Sequence, residues 1–193
     1  MGTNYVTNPL VFLIDTLFSL YVLAVLLRFL LQWTQADFYN PVSQFLLKIT
    51  HPPLRWMRRF IPAMGRIDTS SLVLALVLQA MANVTILAIK GVSLGFPALL
   101  LLSFSDILEM VIDIFIYAIF AGAILSWFAA GSYGSAASIL YSLTEPVLNV
   151  CRRLLPDIGG IDLSPLIALL LLQLAKMMIL PPLQQLVSLL STI

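Results

Sequence analysis

The residues best suited to chemistry in this chain form a basic cluster that is written twice. Arg58-Arg59-x-x-Pro62-x-x-Gly65-x-Ile67-Asp68 returns as Arg152-Arg153-x-x-Pro156-x-x-Gly159-Gly160-Ile161-Asp162. Two guanidiniums on the wet face of a surface helix can each take a phosphate oxygen pair, so Arg58, Arg59, Arg152 and Arg153 point to anionic lipid headgroups or an acidic partner. The competing reading is topological: arginines flanking a membrane span anchor it by reaching into the headgroups. The rest of the motif reads as a turn and a cap. Pro62 and Pro156 stop a surface helix, and Gly65, Gly159 and Gly160 supply the tight turn. Asp68 with Ser70, and Asp162 with Ser164, offer acceptors to the free amides of the next helix. Both aspartates also lie within reach of the nearby arginines.

A second set of polar residues falls inside long apolar runs: Asp15, Gln79, Glu109, Asp113, Gln173 and Lys176. A charge at the middle of a bilayer costs about 2.5–3.5 kcal/mol even on a lenient scale, so each must be paired, hydrated or functional. Glu109 and Asp113 are one helical turn apart and share a face. Asp113 and Lys176 fall at depths that make an ion pair feasible. These groups read either as an ion or proton path or as paired helix glue. Gln79 and Gln173 recur at matching positions, which suits inter-repeat hydrogen bonds worth about 1 kcal/mol.

Enzyme signatures do not occur. There is no Gly-rich phosphate loop, no His-Glu-x-x-His and no nucleophile elbow, so a non-enzyme is expected. One histidine, His51, and one cysteine, Cys151, far apart in sequence, exclude an internal disulfide and argue against a zinc site; no cofactor is expected. A net charge of +1 supplies no global field for nucleic acid.

The elements that carry these residues follow from the repeat. At one shift of 94 residues, without a gap, Trp33 meets Trp127, Thr50 meets Thr144, Pro52 meets Pro146 and Gln79 meets Gln173. Composition sets the class: 61% of the 193 residues are hydrophobic, only 10% are charged, and the mean hydropathy is +1.03. Too little polar surface exists to coat a water-soluble domain, so an all-α polytopic membrane protein is expected. The first repeat spans 1–94 and the second 95–193. Spans are predicted at about 9–33, 71–90, 106–128 and 165–180. Asn8 and Pro9 read as the start of the first, Ser70 and Ser164 as caps of the second and fourth, and Pro181-Pro182 as a kink or stop. Residues 92–104, with Gly95 and Pro97, read as a connection holding an interfacial or partly buried helix.

Each repeat joins its two spans through a connector with two short amphipathic helices, one starting at Pro41 after Asn40 and one near Pro53, echoed at 136–144 and 146–155. Arg28 is placed to reach headgroups beside Trp33. Seven of the ten Lys and Arg residues lie in the connectors, so the positive-inside rule puts the connectors in the cytoplasm and both termini outside. The start of the chain lacks the basic segment of a cleaved signal peptide, so the first span is expected to be retained. Repetition in the same sense gives parallel repeats about an axis along the membrane normal.

The segments Asp37-Phe38-Tyr39-Asn40-Pro41, the first Arg-Arg motif, and Glu145-Pro146 through Asp162-x-Ser164-Pro165 resemble the YggT family of bacterial integral membrane proteins, whose plastid and cyanobacterial relatives include the YlmG proteins. The resemblance covers essentially the whole chain, in the two-repeat form. The first copy departs from the pattern with His51 for Glu145, Arg66 for Gly160 and Ser71 for Pro165. The resemblance implies a bacterial inner-membrane protein that organises or assembles membrane components, with links to cytochrome maturation, division or nucleoid organisation, and osmotic tolerance. It implies no catalytic residue. The expected contacts are anionic lipid and another membrane protein, with a homo-oligomer as a further option. The alternative function is a small oligomeric ion channel or transporter subunit using Asp15, Glu109, Asp113 and Lys176.

Overall fold

The computed structural model describes residues 4–61, 67–128, 134–154 and 162–191. These form six helices: α1 (Asn4–Trp33), α2 (Pro41–Met57), α3 (Thr69–Lys90), α4 (Phe96–Phe128), α5 (Ser135–Leu154) and α6 (Ser164–Ser191). α1, α3, α4 and α6 are long and apolar enough to cross a bilayer. In hydrocarbon every backbone amide must be satisfied within the segment, which is why these runs are helices.

Several prolines expected to start a helix, or to kink or stop one, lie inside helices. α1 begins at Asn4, so Asn8 and Pro9 do not start it. α6 runs through Pro181-Pro182, because a chain that stopped there would bare its amides to lipid. Gly95 and Pro97 mark the start of α4. A proline in a first helical turn sacrifices only an amide that has no intrahelical partner. Residues 96–105 therefore belong to the third crossing, Ser103 and Ser105 are buried, and the link from α3 is short. Gly91, at φ 69°, closes α3 in the left-handed conformation that glycine adopts without a Cβ penalty.

The connectors also differ from expectation. Each holds one continuous helix where two short ones are predicted. Asn40 caps α2 as expected, its side chain accepting from the Val42 amide at 3.0 Å. α2 then continues through Pro52 and Pro53, and α5 through Pro146. Pro53 cannot donate to the Ile49 carbonyl four residues back. The Tyr21 hydroxyl of α1 donates to that oxygen instead, at 3.1 Å, so a neighbouring helix satisfies the acceptor that the proline strands.

α3 packs on α1 within the first repeat, and α6 packs on α4 within the second; α3 also contacts α4 and so joins the repeats. α2 and α5 fold beneath the spans at the connector end. The principal core sits there: Val22, Val25 and Leu26 of α1 meet Leu54 of α2, Leu74 of α3, Phe115 of α4 and Leu143 of α5. The outward faces of the spans carry Phe12, Leu17, Leu166, Leu170 and Met178, as a bilayer requires.

Candidate functional site: two polar centres at opposite ends of the spans

At the connector end, the first arginine of each pair is tied down and the second is not. Arg58 pairs with Asp68, whose carboxylate is fully buried and also accepts from Ser71 Oγ at 2.9 Å. Asp68 stands in the N-cap position of α3 without a side-chain cap bond; Arg58 and Ser71 both donate to its Oδ2. Ser70, expected to cap α3, lies within its first turn, and its hydroxyl donates to the Ile61 carbonyl at 2.6 Å, clamping the end of the connector onto the span.

The second repeat makes the same tie with different details. Arg152 donates to Asp162 at 3.1 Å and to Glu145 at 3.2 Å, both exposed. Asp162 Oδ1 accepts from the Ser164 amide at 2.9 Å, so the aspartate caps α6 and Ser164 is inside the helix. Hydrogen bonds from the Ser164 hydroxyl and amide, and the Arg152 guanidinium, hold the Asp162 carboxyl below the usual carboxylate range. Pro62, Gly65, Pro156, Gly159 and Gly160, the remaining turn residues, lie outside the described residues. Cys151 packs against Leu148, Ile119 and Ala168, and burial pushes its thiol pKa up.

Arg59 and Arg153 are exposed and have no ion-pair partner among the described residues. On α2 the buried stripe is Ser43, Leu46, Thr50 and Leu54, which leaves Phe45 and Trp56 exposed. At about 100° per residue, Lys48, Arg55 and Arg59 fall on the same side as Phe45 and Trp56. Arg28 does not reach the headgroups. It is only 5% exposed and donates to Thr50 Oγ1 at 2.8 Å, because α2 folds over it.

The second centre lies higher in the spans. A cavity of about 1190 Å³ opens between α1 and α4, with α3 as its back wall. Asp15, Asp106, Glu109 and Asp113 line it, beside Gln79 and Asn83. Lys176 of α6 reaches Asp113 at 2.6 Å and Glu109 at 3.1 Å, bridging the outer helix to both acids. The fold thus gathers Asp15, Glu109, Asp113, Gln79 and Lys176 into one neighbourhood. Gln173 is not among them: it is exposed on α6 and makes no inter-repeat bond among the described residues.

Asp106 and Asn83 are the members that sequence reasoning passed over. Asp106 Oδ2 accepts from Asn83 Nδ2 at 2.8 Å and from Gln79 Nε2 at 3.1 Å, and Asn83 also reaches Ser103 Oγ at 3.2 Å. The signal was present: Gln79 and Asn83 are four apart, and Asp106, Glu109 and Asp113 follow one helix face. The hydropathy pattern places Asp106 at the outer end of a span, whereas the helix starts ten residues earlier at Phe96 and carries Asp106 inward. Among the described residues no group of His, Cys, Asp and Glu could hold a metal ion.

Four apolar crossings, an internal repeat and an amphipathic helix under each pair of spans define a polytopic α-helical membrane protein built from two parallel repeats. The sequence model of the CCB3/YggT family matches twice, over residues 7–89 and 101–183, and the chain belongs to this family. It is similar to an uncharacterized protein of Pseudomonas aeruginosa, 42% identical over 171 residues that cover 88% of this chain and 87% of the relative. It is also similar to the uncharacterized YggT of Escherichia coli K12, 38% identical over 88% of both chains. An uncharacterized protein of Vibrio alginolyticus is 39% identical, over 88% of this chain and 92% of its own. No solved structure matches.

Proposed function

We propose that this protein is a non-enzymatic organiser of the bacterial inner membrane, holding anionic lipid and another membrane protein at its cytoplasmic connector face. The observation that carries this reading is the outer face of α2, where Phe45 and Trp56 are exposed beside Lys48, Arg55 and Arg59. Aromatic rings of this kind settle at the headgroup level, and each nearby Lys or Arg adds about 1 kcal/mol of attraction to an anionic leaflet. Arg58 and Arg152 serve the turn, and Arg59 and Arg153 are left for lipid or partner. With the connectors cytoplasmic, the termini face the periplasm, in line with the positive-inside rule. A role in osmotic-stress tolerance is consistent with such an organiser.

Photoreactive residues in place of Trp56 and Val150, crosslinked in native membranes and read by mass spectrometry, test the partner. A reproducible adduct with another membrane protein is the expected result, and adducts with lipid or self alone would remove the assembly role. Arg59→Gln with Arg153→Gln should weaken binding to anionic vesicles while insertion is unchanged; undiminished binding would remove the lipid role.

A second reading, an oligomeric channel or transporter subunit, draws on Asp15, Glu109, Asp113 and Lys176 around the cavity. Lys176 already pairs with two of the acids and offsets one of their charges, and leucines line the cavity toward the connector end, which favours the first reading. Ion flux in proteoliposomes, with Asp113→Asn beside wild type, tests it. A wild type inert across several ions and potentials would remove the conduit.

A further inference from the structure

The cavity between α1 and α4 is divided by chemistry. Toward the terminal end its walls carry Asp15, Asp106 and Glu109. Toward the connector end they are hydrocarbon, with Leu23, Leu27 and Leu31 of α1 facing Leu140 and Leu143 of α5. By helix rise, the distance from Asp15 to Leu31 is about 24 Å. One polar atom stands out on the back wall. Gln79 is only 6% exposed, and its Oε1 accepts no hydrogen bond from any described residue. The amide cannot be turned round without cost, because Nε2 donates to Asp106 at 3.1 Å and a reversed amide would set oxygen against carboxylate. A buried acceptor left unpaired costs about 1–3 kcal/mol. Gln79 lines the cavity, and a small shift of its side chain, whose Oε1 is closed to water in this packing, opens that acceptor to a donor there.

We propose that this cavity binds an amphiphilic amine, an ammonium group bearing N–H donors joined to a hydrocarbon chain. The ammonium sits among Asp106, Asp15 and Glu109, and one N–H meets Gln79 Oε1. The chain runs down the leucine-lined part between α1 and α5. A cavity of about 1190 Å³ is far larger than an inorganic cation needs and exceeds the usual small-ligand site of about 300–1,000 Å³, which leaves room for a hydrocarbon chain. The acidic wall disfavours an amphiphile that presents a free phosphate or carboxylate. Lys176 is no competitor for the place, since Asp113 and Glu109 hold it toward α6. The site is independent of the lipid and partner contacts proposed for α2.

The test uses the full chain in phosphatidylcholine nanodiscs, titrated with a long-chain alkylamine that carries a diazirine on its chain, with adducts mapped by mass spectrometry. Expected is saturable labelling of the cavity-facing stretches of α1 and α5, competed by dodecylamine and not by dodecanol. Asp106→Asn and Gln79→Leu should each raise the half-saturating concentration about tenfold, as loss of one charge-assisted or buried bond implies. Leu20→Trp adds bulk at an exposed part of the cavity wall, leaves the polar groups alone, and should block labelling even if the other two variants fail to fold. Phosphatidylethanolamine competing as well as dodecylamine would make a lipid headgroup the source of the ammonium. Competition by the free amine alone would make the source a free amphiphile, and either result supports the site. Labelling that never saturates, that spreads over the outward faces of all four spans, or that Leu20→Trp leaves unchanged overturns the proposal.

Discussion

Tyr21 shows how single residues hold this fold. Its hydroxyl supplies the donor that Pro53 withholds from the Ile49 carbonyl. Tyr21→Phe should therefore cost about 0.5–1.5 kcal/mol, the usual worth of one hydrogen bond. In a Pro53→Ala background the helix recovers its own amide, and the same change should cost close to nothing. Unfolding of the two pairs in a double-mutant cycle gives the coupling directly; equal costs in both backgrounds would show that the tyrosine does not serve this carbonyl. At this scale the sequence pointed to the right residues and often to the wrong partners. Arg28 was legible as a charge near a span end, but whether it faces headgroups or Thr50 depends on where α2 lies.

Among the elements, α5 is watched by two built-in reporters, one on the helix and one that ties it to α6. Cys151, the chain's single cysteine, is buried against α4 and α6, and burial raises its thiol pKa. Both effects suppress the thiolate. A maleimide should thus label native protein slowly and label fast once heat lifts α5 from the spans. Labelling that is fast well below the loss of helicity would mean that α5 detaches on its own.

Asp162, which ties α5 to α6, has a folded pKa below its unfolded one. Its contribution is then present above the unfolded value, about 3.9, and is lost as pH falls through the lower folded value. Because the pair is exposed, the effect is about 1 kcal/mol or less. Far-ultraviolet melts should find Asp162→Asn less stable than wild type near neutrality and the two alike in strong acid. A gap that persists in acid would locate the effect elsewhere.

For the whole molecule, the two repeats share one architecture and differ in their packing. Gln79 sits between α3 and α4 and bonds Asp106, whereas its counterpart Gln173 is exposed on α6. α3 lies between two repeats and α6 lies at the edge of the bundle, so only the first glutamine has a neighbour to meet. Gln79→Leu should cost about 0.6–1.7 kcal/mol, the range of polar contacts between membrane helices, and Gln173→Leu should be neutral or stabilising. Denaturant unfolding in a bilayer mimetic separates them, and equal losses would argue that α6 packs on a further helix in the membrane. The intramembrane acids are likewise unequally shared: Asp106 and Asp113 correspond to Phe12 and Ser19 in the first repeat.

The sequence by itself determined the class, the repeat and the crossings. A hydrophobic run of sufficient length must be a helix in lipid, and a gap-free shift of 94 residues reveals the repeat, which the family model also matches twice, over 7–89 and 101–183. It determined the Arg-Arg connectors too, because charge and periodicity are local. It misjudged the prolines, since proline signals assume water for the freed carbonyls, and here Tyr21 or the drive to satisfy amides in lipid takes over. Periodicity tells which face of a helix is apolar or polar, and never which helix stands opposite. Only the tertiary structure could bring Gln79 and Asn83 against Asp106, set Lys176 between two acids, and leave the space between α1 and α4 open. Those outcomes depend on how side chains from distant segments fill one another's gaps, a property of the packed whole.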